Sequence, residues 1–145
     1  MPSNLKAVRS DIWYKMVNQQ PVDLTVTLEG TGAAQAVLLG MQIIVTIVAG
    51  EVNKYINIST PLGFRVTNGY SIHTDNTNSS WQLVNTAAAI HTAVEMAASD
   101  TDIDKMAQVN DTNAVFLRND NDLRVEITTG EANCIIVIDI EPTVA

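Results

Sequence analysis

The chain has 145 residues, 46% of them hydrophobic and only 17% charged, which suits one domain with a single core and excludes a disordered tail. Val, Ile and Thr number 16, 14 and 15, while only four lysines stand against thirteen asparagines, so strands are favoured over a long helix or coiled coil. Sixteen acidic and eight basic residues give a net charge of −8, which phosphate backbones repel, so direct nucleic-acid binding is not expected.

Residues 1–22 read as a separate N-terminal arm. Lys6, Arg9 and Lys15 against Asp11 give residues 1–20 a net charge of +2, and five basic and fifteen acidic groups give residues 21–145 a net of −10. A basic arm on an acidic body can steer docking onto another acidic protein surface, although three scattered cations also serve simple solubility. Ser10 or Asp11 is placed to cap a short helix carrying Ile12, Trp13, Met16 and Val17 on one face, stopped by Pro21. A helix of about ten residues is marginal alone in water, so it must dock, either on its own domain or on a neighbouring subunit or a host surface.

From Asp23 the apolar period becomes two. Leu24, Val26 and Leu28 predict one strand, and Ile43, Val45 and Ile47 another. Ile56 and Ile58 alternate with Asn57 before the turn residues Pro61-Leu62-Gly63. Phe64 to Thr67 predicts a strand ended by Asn68-Gly69, a strong turn signal, with a resumption over Tyr70 to His73. Asp75 to Ser80 is a polar loop, and Trp81, Leu83 and Val84 open the next strand. Residues 86–98 are ambiguous between helix and strand, and the alternation of Ile90, Thr92, Val94 and Met96 favours a strand over 89–97. After an acidic loop at 100–104 come short apolar pieces at 106–109 and 115–117. Leu123, Val125 and Ile127 form a strand ended by Gly130, and Cys134, Ile136, Ile138 and Ile140 close the chain before Pro142.

Eight to ten short strands with turns every eight to twelve residues predict an all-β domain over 23–145, a jelly-roll-like β-sandwich. Ile135 and Val137 fall on the opposite parity to the core positions, so apolar groups occupy both faces of their strand. A homo-oligomer or a larger lattice is the natural cover for such an outer face.

Cys134 is the only cysteine and sits in an apolar run, where a buried inert thiol is expected and no internal disulfide is possible. The longest apolar stretch, Val37 to Val48, is shorter than the roughly 18–20 residues that span a bilayer, and residues 1–20 lack the apolar region of a signal peptide. A soluble intracellular product without membrane association is the expectation. His73 and His91 belong to no metal-spaced motif, and neither a G-x-S-x-G elbow nor a phosphate-binding glycine loop occurs. Asp100, Asp102 and Asp104, and again Asp120 and Asp122, alternate as oxygen ligands can, but neither run fits a twelve-residue calcium loop, and both read as solvated turns. No catalytic, metal or cofactor residues are therefore expected. Two alternatives remain: a carbohydrate- or receptor-binding module of a fibre or tail, with Trp81 and Tyr70 flanking the Asn-rich loop, and a small lyase or isomerase in which His73 and His91 meet.

The succession Arg65-Val66-Thr67-Asn68-Gly69, Ser80-Trp81-Gln82-Leu83, Asp122-Leu123-Arg124-Val125-Glu126-Ile127-Thr128-Thr129-Gly130 and Ile136-Val137-Ile138 resembles small β-sandwich structural proteins of tailed bacteriophages, the capsid decoration or cement proteins. The likeness is one of pattern over about 120 residues; it does not cover residues 1–22, and Asp139 and Glu141 depart from the nearly uncharged final hairpin common in such proteins. It implies a virion protein on the capsid surface, made in the host cytoplasm. Its implied partners are the major capsid protein and copies of itself, as a trimer or other oligomer, and it implies no enzymatic activity. Lys6, Arg9, Ile12, Trp13, Lys15 and Met16 are the expected contact residues, aromatic and aliphatic side chains anchoring and cations orienting. The arm is expected to be separable, so that removing residues 1–20 leaves the sandwich folded and weakens shell binding.

Overall fold

The alternation of apolar and polar residues is realised as two antiparallel sheets that bury their facing sides in one core. A computed structural model describes residues 11–73, 78–97, 103–107, 109–118 and 122–143. One short helix, α1 (residues 11–17), precedes the strands. In chain order these are β1 (Val22–Leu24), β2 (Val26–Leu28), β3 (Ala33–Leu39), β4 (Gln42–Gly50), β5 (Tyr55–Ile58) and β6 (Phe64–His73). They continue as β7 (Ser79–Asn85), β8 (Ala88–Ala89), β9 (Val94–Met96), β10 (Asp104–Lys105), β11 (Val115–Phe116), β12 (Leu123–Thr129) and β13 (Ala132–Pro142). The first sheet runs β1-β3-β4-β13-β6-β10, with β11 also on β6; the second runs β2-β5-β12-β7-β8, with β9 also on β7. The architecture is the expected β-sandwich.

The closing strand is the spine of the first sheet. β13 pairs with β4 on one side and β6 on the other, and Cys134, Ile136, Ile138 and Ile140 point inward. Across from them lie Ile56 and Ile58 of β5, Trp81 and Leu83 of β7, and Leu123, Val125 and Ile127 of β12, all buried. Phe64 and Phe116 stack with ring centroids 5.2 Å apart, securing the short β11 to the start of β6. Burying side chains of this size contributes about 1.5–3 kcal/mol each, and the one cysteine, Cys134, is buried with them.

Three local expectations are corrected. Leu24, Val26 and Leu28 do not share one strand: the chain leaves the first sheet at Thr25 and enters the second, so β1 and β2 edge different sheets. Thr25 N–H donates to Ser59 Oγ at 3.1 Å and Ser59 N–H to Thr25 O at 2.9 Å, which holds this seam between the layers. Asn68-Gly69 is not a turn, because β6 runs through it with a bulge opposite Asp139 and Ile140. Gly69 is needed for close approach instead, since Met106 occupies the place a Cβ would take. The strand expected over 89–97 is two short ones, β8 and β9, that pair with opposite ends of β7, while the chain between them leaves the ladder after Ile90 N–H donates to Leu83 O at 2.9 Å.

Candidate interaction surfaces

In α1, Ile12 and Met16 stand one turn apart and enter the core, 8% and 1% exposed, whereas Trp13, Tyr14 and Val17 are 40%, 61% and 70% exposed. The four apolar residues expected on one face thus form two ridges about 100° apart, and only the 12/16 ridge faces the domain. Gln19 N–H donates to Met16 O at 3.2 Å and Gln20 N–H to Lys15 O at 2.8 Å, with Gln19 at φ 55°, so the helix ends in a Schellman motif before Pro21. The Gln19 side chain lies beside Gly40 in the β3–β4 turn, fixing α1 against that end of the sandwich, where Met41 is also exposed.

Of the six expected contact residues, Ile12 and Met16 are therefore committed to the protein's own core. Trp13 is exposed on the other ridge, and Lys15 lies 4.0 Å from Asp11 in an exposed i,i+4 pair. Lys6 and Arg9 lie outside the described residues. Tyr14 joins Trp13 on the exposed side. At about 100° per residue Tyr14 lies about 200° round the helix from Ile12, so a helix docked through the 12/16 ridge must display it.

A second surface is the outer face of the first sheet. Pairing places Val37 of β3, Ile44 of β4, Val137 of β13 and Tyr70 of β6 on one rung across four strands. The next rung, Gln35, Thr46, Ile135 and Ile72, is uncharged, and Ile72 is exposed. In the third rung, Leu39, Gln42, Asp139 and Asn68, Gln42 Nε2 donates to Asp139 Oδ1 at 2.9 Å. Ile135 and Val137 were legible as outward apolar positions; Val37 and Ile44 are their partners within an apolar stretch whose two parities both read hydrophobic.

The residues of the alternative sites do not assemble into them. Trp81 is fully buried, and Tyr70 is on the outer face of the other sheet, so no aromatic platform forms. Trp81 alternates inward along β7 and fills the core, which withdraws its ring from any sugar. His73 Nε2 lies 3.4 Å from Ser79 Oγ, while His91 accepts from Leu83 N–H and packs edge-on against Trp81, so each imidazole has its own partners. Asp104 belongs to β10 and Asp122 precedes β12, whereas Asp100, Asp102 and Asp120 lie outside the described residues. Among the described residues no three His, Cys, Asp or Glu side chains are grouped to hold a metal ion, and no helix is long and apolar enough to cross a membrane. Arg65 joins β6 to β13 through Glu141 at 2.8 Å, and this hydrogen bond raises the guanidinium above its usual range.

No protein-family model, no curated protein and no solved structure matches this chain.

Proposed function

We propose that this protein is a structural component of a tailed-phage virion, a decoration protein that binds the capsid exterior and cements neighbouring shell subunits. The observation that carries the proposal is the exposed ridge of α1. Trp13, Tyr14 and Val17 are presented to solvent by a helix whose Ile12 and Met16 are anchored in the core. Aromatic side chains held on a rigid support lose little freedom on binding and are the usual anchors of protein interfaces. Trp13 and Tyr14 would enter the major capsid protein, and Lys15, with Lys6 and Arg9, would set orientation against its acidic groups. The protein acts by mass action: binding only the assembled shell stabilises that state, and repetition over a lattice adds avidity. Self-association belongs to the same function, and no catalysis is involved.

Co-sedimentation with purified, expanded heads of the phage that encodes the protein tests this. Saturable binding, with a fixed number of copies per shell and loss on Trp13→Ala/Tyr14→Ala, supports it. Protein that stays in the supernatant, or that is missing from purified virions by mass spectrometry, overturns it.

A further inference from the structure

We propose that two copies of this chain stack through the outer faces of their first sheets, about a two-fold axis parallel to the strands. This rests on the self-association put forward above and gives it a geometry. The central rung continues beyond its four apolar members, since Asp23 of β1 is opposite Val37 and Lys105 of β10 is opposite Tyr70. The whole row reads Asp23, Val37, Ile44, Val137, Tyr70, Lys105, with an acid at one edge of the sheet, a base at the other, and no charge between them. Both Asp23 and Lys105 are exposed.

Such a row is complementary to its own reverse. Turning a second copy about an axis along the strands sets β4 over the partner's β13 and β1 over the partner's β10. Asp23 of each copy then meets Lys105 of the other, Ile44 meets Val137, and Val37 meets Tyr70. The third rung also agrees, because Gln42 falls over Asp139, a donor over an acceptor. Turning about the perpendicular in-plane axis would instead put Asp23 on Asp23 and Lys105 on Lys105, so the edge charges choose the orientation. Aligned face-to-face packing is an ordinary arrangement of two sheets.

Taking each residue as about 4.8 Å across the strands and about 6.8 Å along them, the six, four and four positions of the three rungs cover about 460 Å². Two copies therefore bury about 900 Å² in all, short of a standard interface and in the range of weak, transient pairs. The pair is therefore reversible and concentration-dependent. The resemblance to decoration proteins implies a trimer, but a face complementary to itself closes at two copies, whereas a three-fold ring joins two different patches.

Sedimentation equilibrium of the full chain up to about 100 μM tests the proposal, with circular dichroism checking the fold of every variant. The unaltered protein is expected to pass from monomer to dimer, and Ile44→Glu to remain monomeric. Asp23→Lys and Lys105→Glu should each weaken pairing about tenfold, because each change puts like charges together twice per dimer. The double variant Asp23→Lys/Lys105→Glu should restore it, a rescue that a loss of folding cannot imitate. A monomer at every concentration, a trimer, or a double variant weaker than both single ones overturns the proposal. Capsid binding is read separately by co-sedimentation, so failure of the pair and failure of the virion function are distinguishable.

Discussion

Leu83 donates its backbone N–H to Nε2 of His91 at 2.9 Å, within the core. His91 Nδ1, 2.6 Å from the Thr92 carbonyl, donates in turn, and Gln82 Nε2 donates to the His91 carbonyl at 2.8 Å. Between β8 and β9 the edge of β7 has no strand neighbour, and the imidazole supplies the acceptor a neighbouring strand would have given. Accepting at Nε2 requires the neutral ring.

Acid should therefore loosen this edge. Burial pushes the His91 pKa below its usual value, and the Thr92 carbonyl opposes this in part. Because the unfolded chain takes up the proton first, the neutral ring's contribution is fully present above about pH 6.5 and fades as pH falls from there towards the lowered folded value. Urea unfolding at about pH 7.5 and pH 5.5 should show a loss of stability in acid that is smaller in His91→Gln. An equal loss in both proteins would assign the acid sensitivity to other groups.

The two ridges of α1 should separate stability from binding. Met16→Ala removes a buried side chain and should destabilise by about 2–4 kcal/mol, while Trp13→Ala should stay within about 0.5 kcal/mol. Denaturant midpoints measure both. Deleting residues 1–20 should likewise lower stability, contrary to the separable arm expected from the sequence, because it uncovers the core that Ile12 and Met16 seal.

Gly69 should be coupled to Met106. Gly69→Ala puts a methyl where the thioether packs and is expected to destabilise by about 1–2 kcal/mol. In a double-mutant cycle, Met106→Ala should relieve part of that loss; purely additive effects would mean that the two residues do not share the space.

Trp81→Ala should cost about 3–5 kcal/mol through the cavity it leaves. Thermal unfolding reads this directly, and a variant as stable as the parent would contradict the placement of this ring at the centre of the core.

The strands most legible in the sequence are those with one apolar parity. Leu123, Val125 and Ile127, like Cys134, Ile136, Ile138 and Ile140, alternate cleanly, and their inward positions are the observed ones. Legibility failed where a tertiary neighbour replaced a local rule. Asn68-Gly69 carries a turn signal, yet Met106, nearly forty residues away in sequence, explains the glycine. The break in the expected 89–97 strand depends on His91 reaching Leu83, which no periodicity encodes. In α1 the four apolar residues read as one face, and that only Ile12 and Met16 turn to the domain depended on packing at the β3–β4 end. On the sheet surface, parity exposed Ile135 and Val137, while the row from Asp23 to Lys105 required the pairing of six strands.

The most direct measurement is cryo-electron microscopy of the native virion. Sandwich-shaped density is expected on the capsid exterior, with the Trp13 and Tyr14 side of α1 seated on the shell. A particle lacking such density, or one in which the sandwich attaches through a different surface and leaves α1 in solvent, would contradict it.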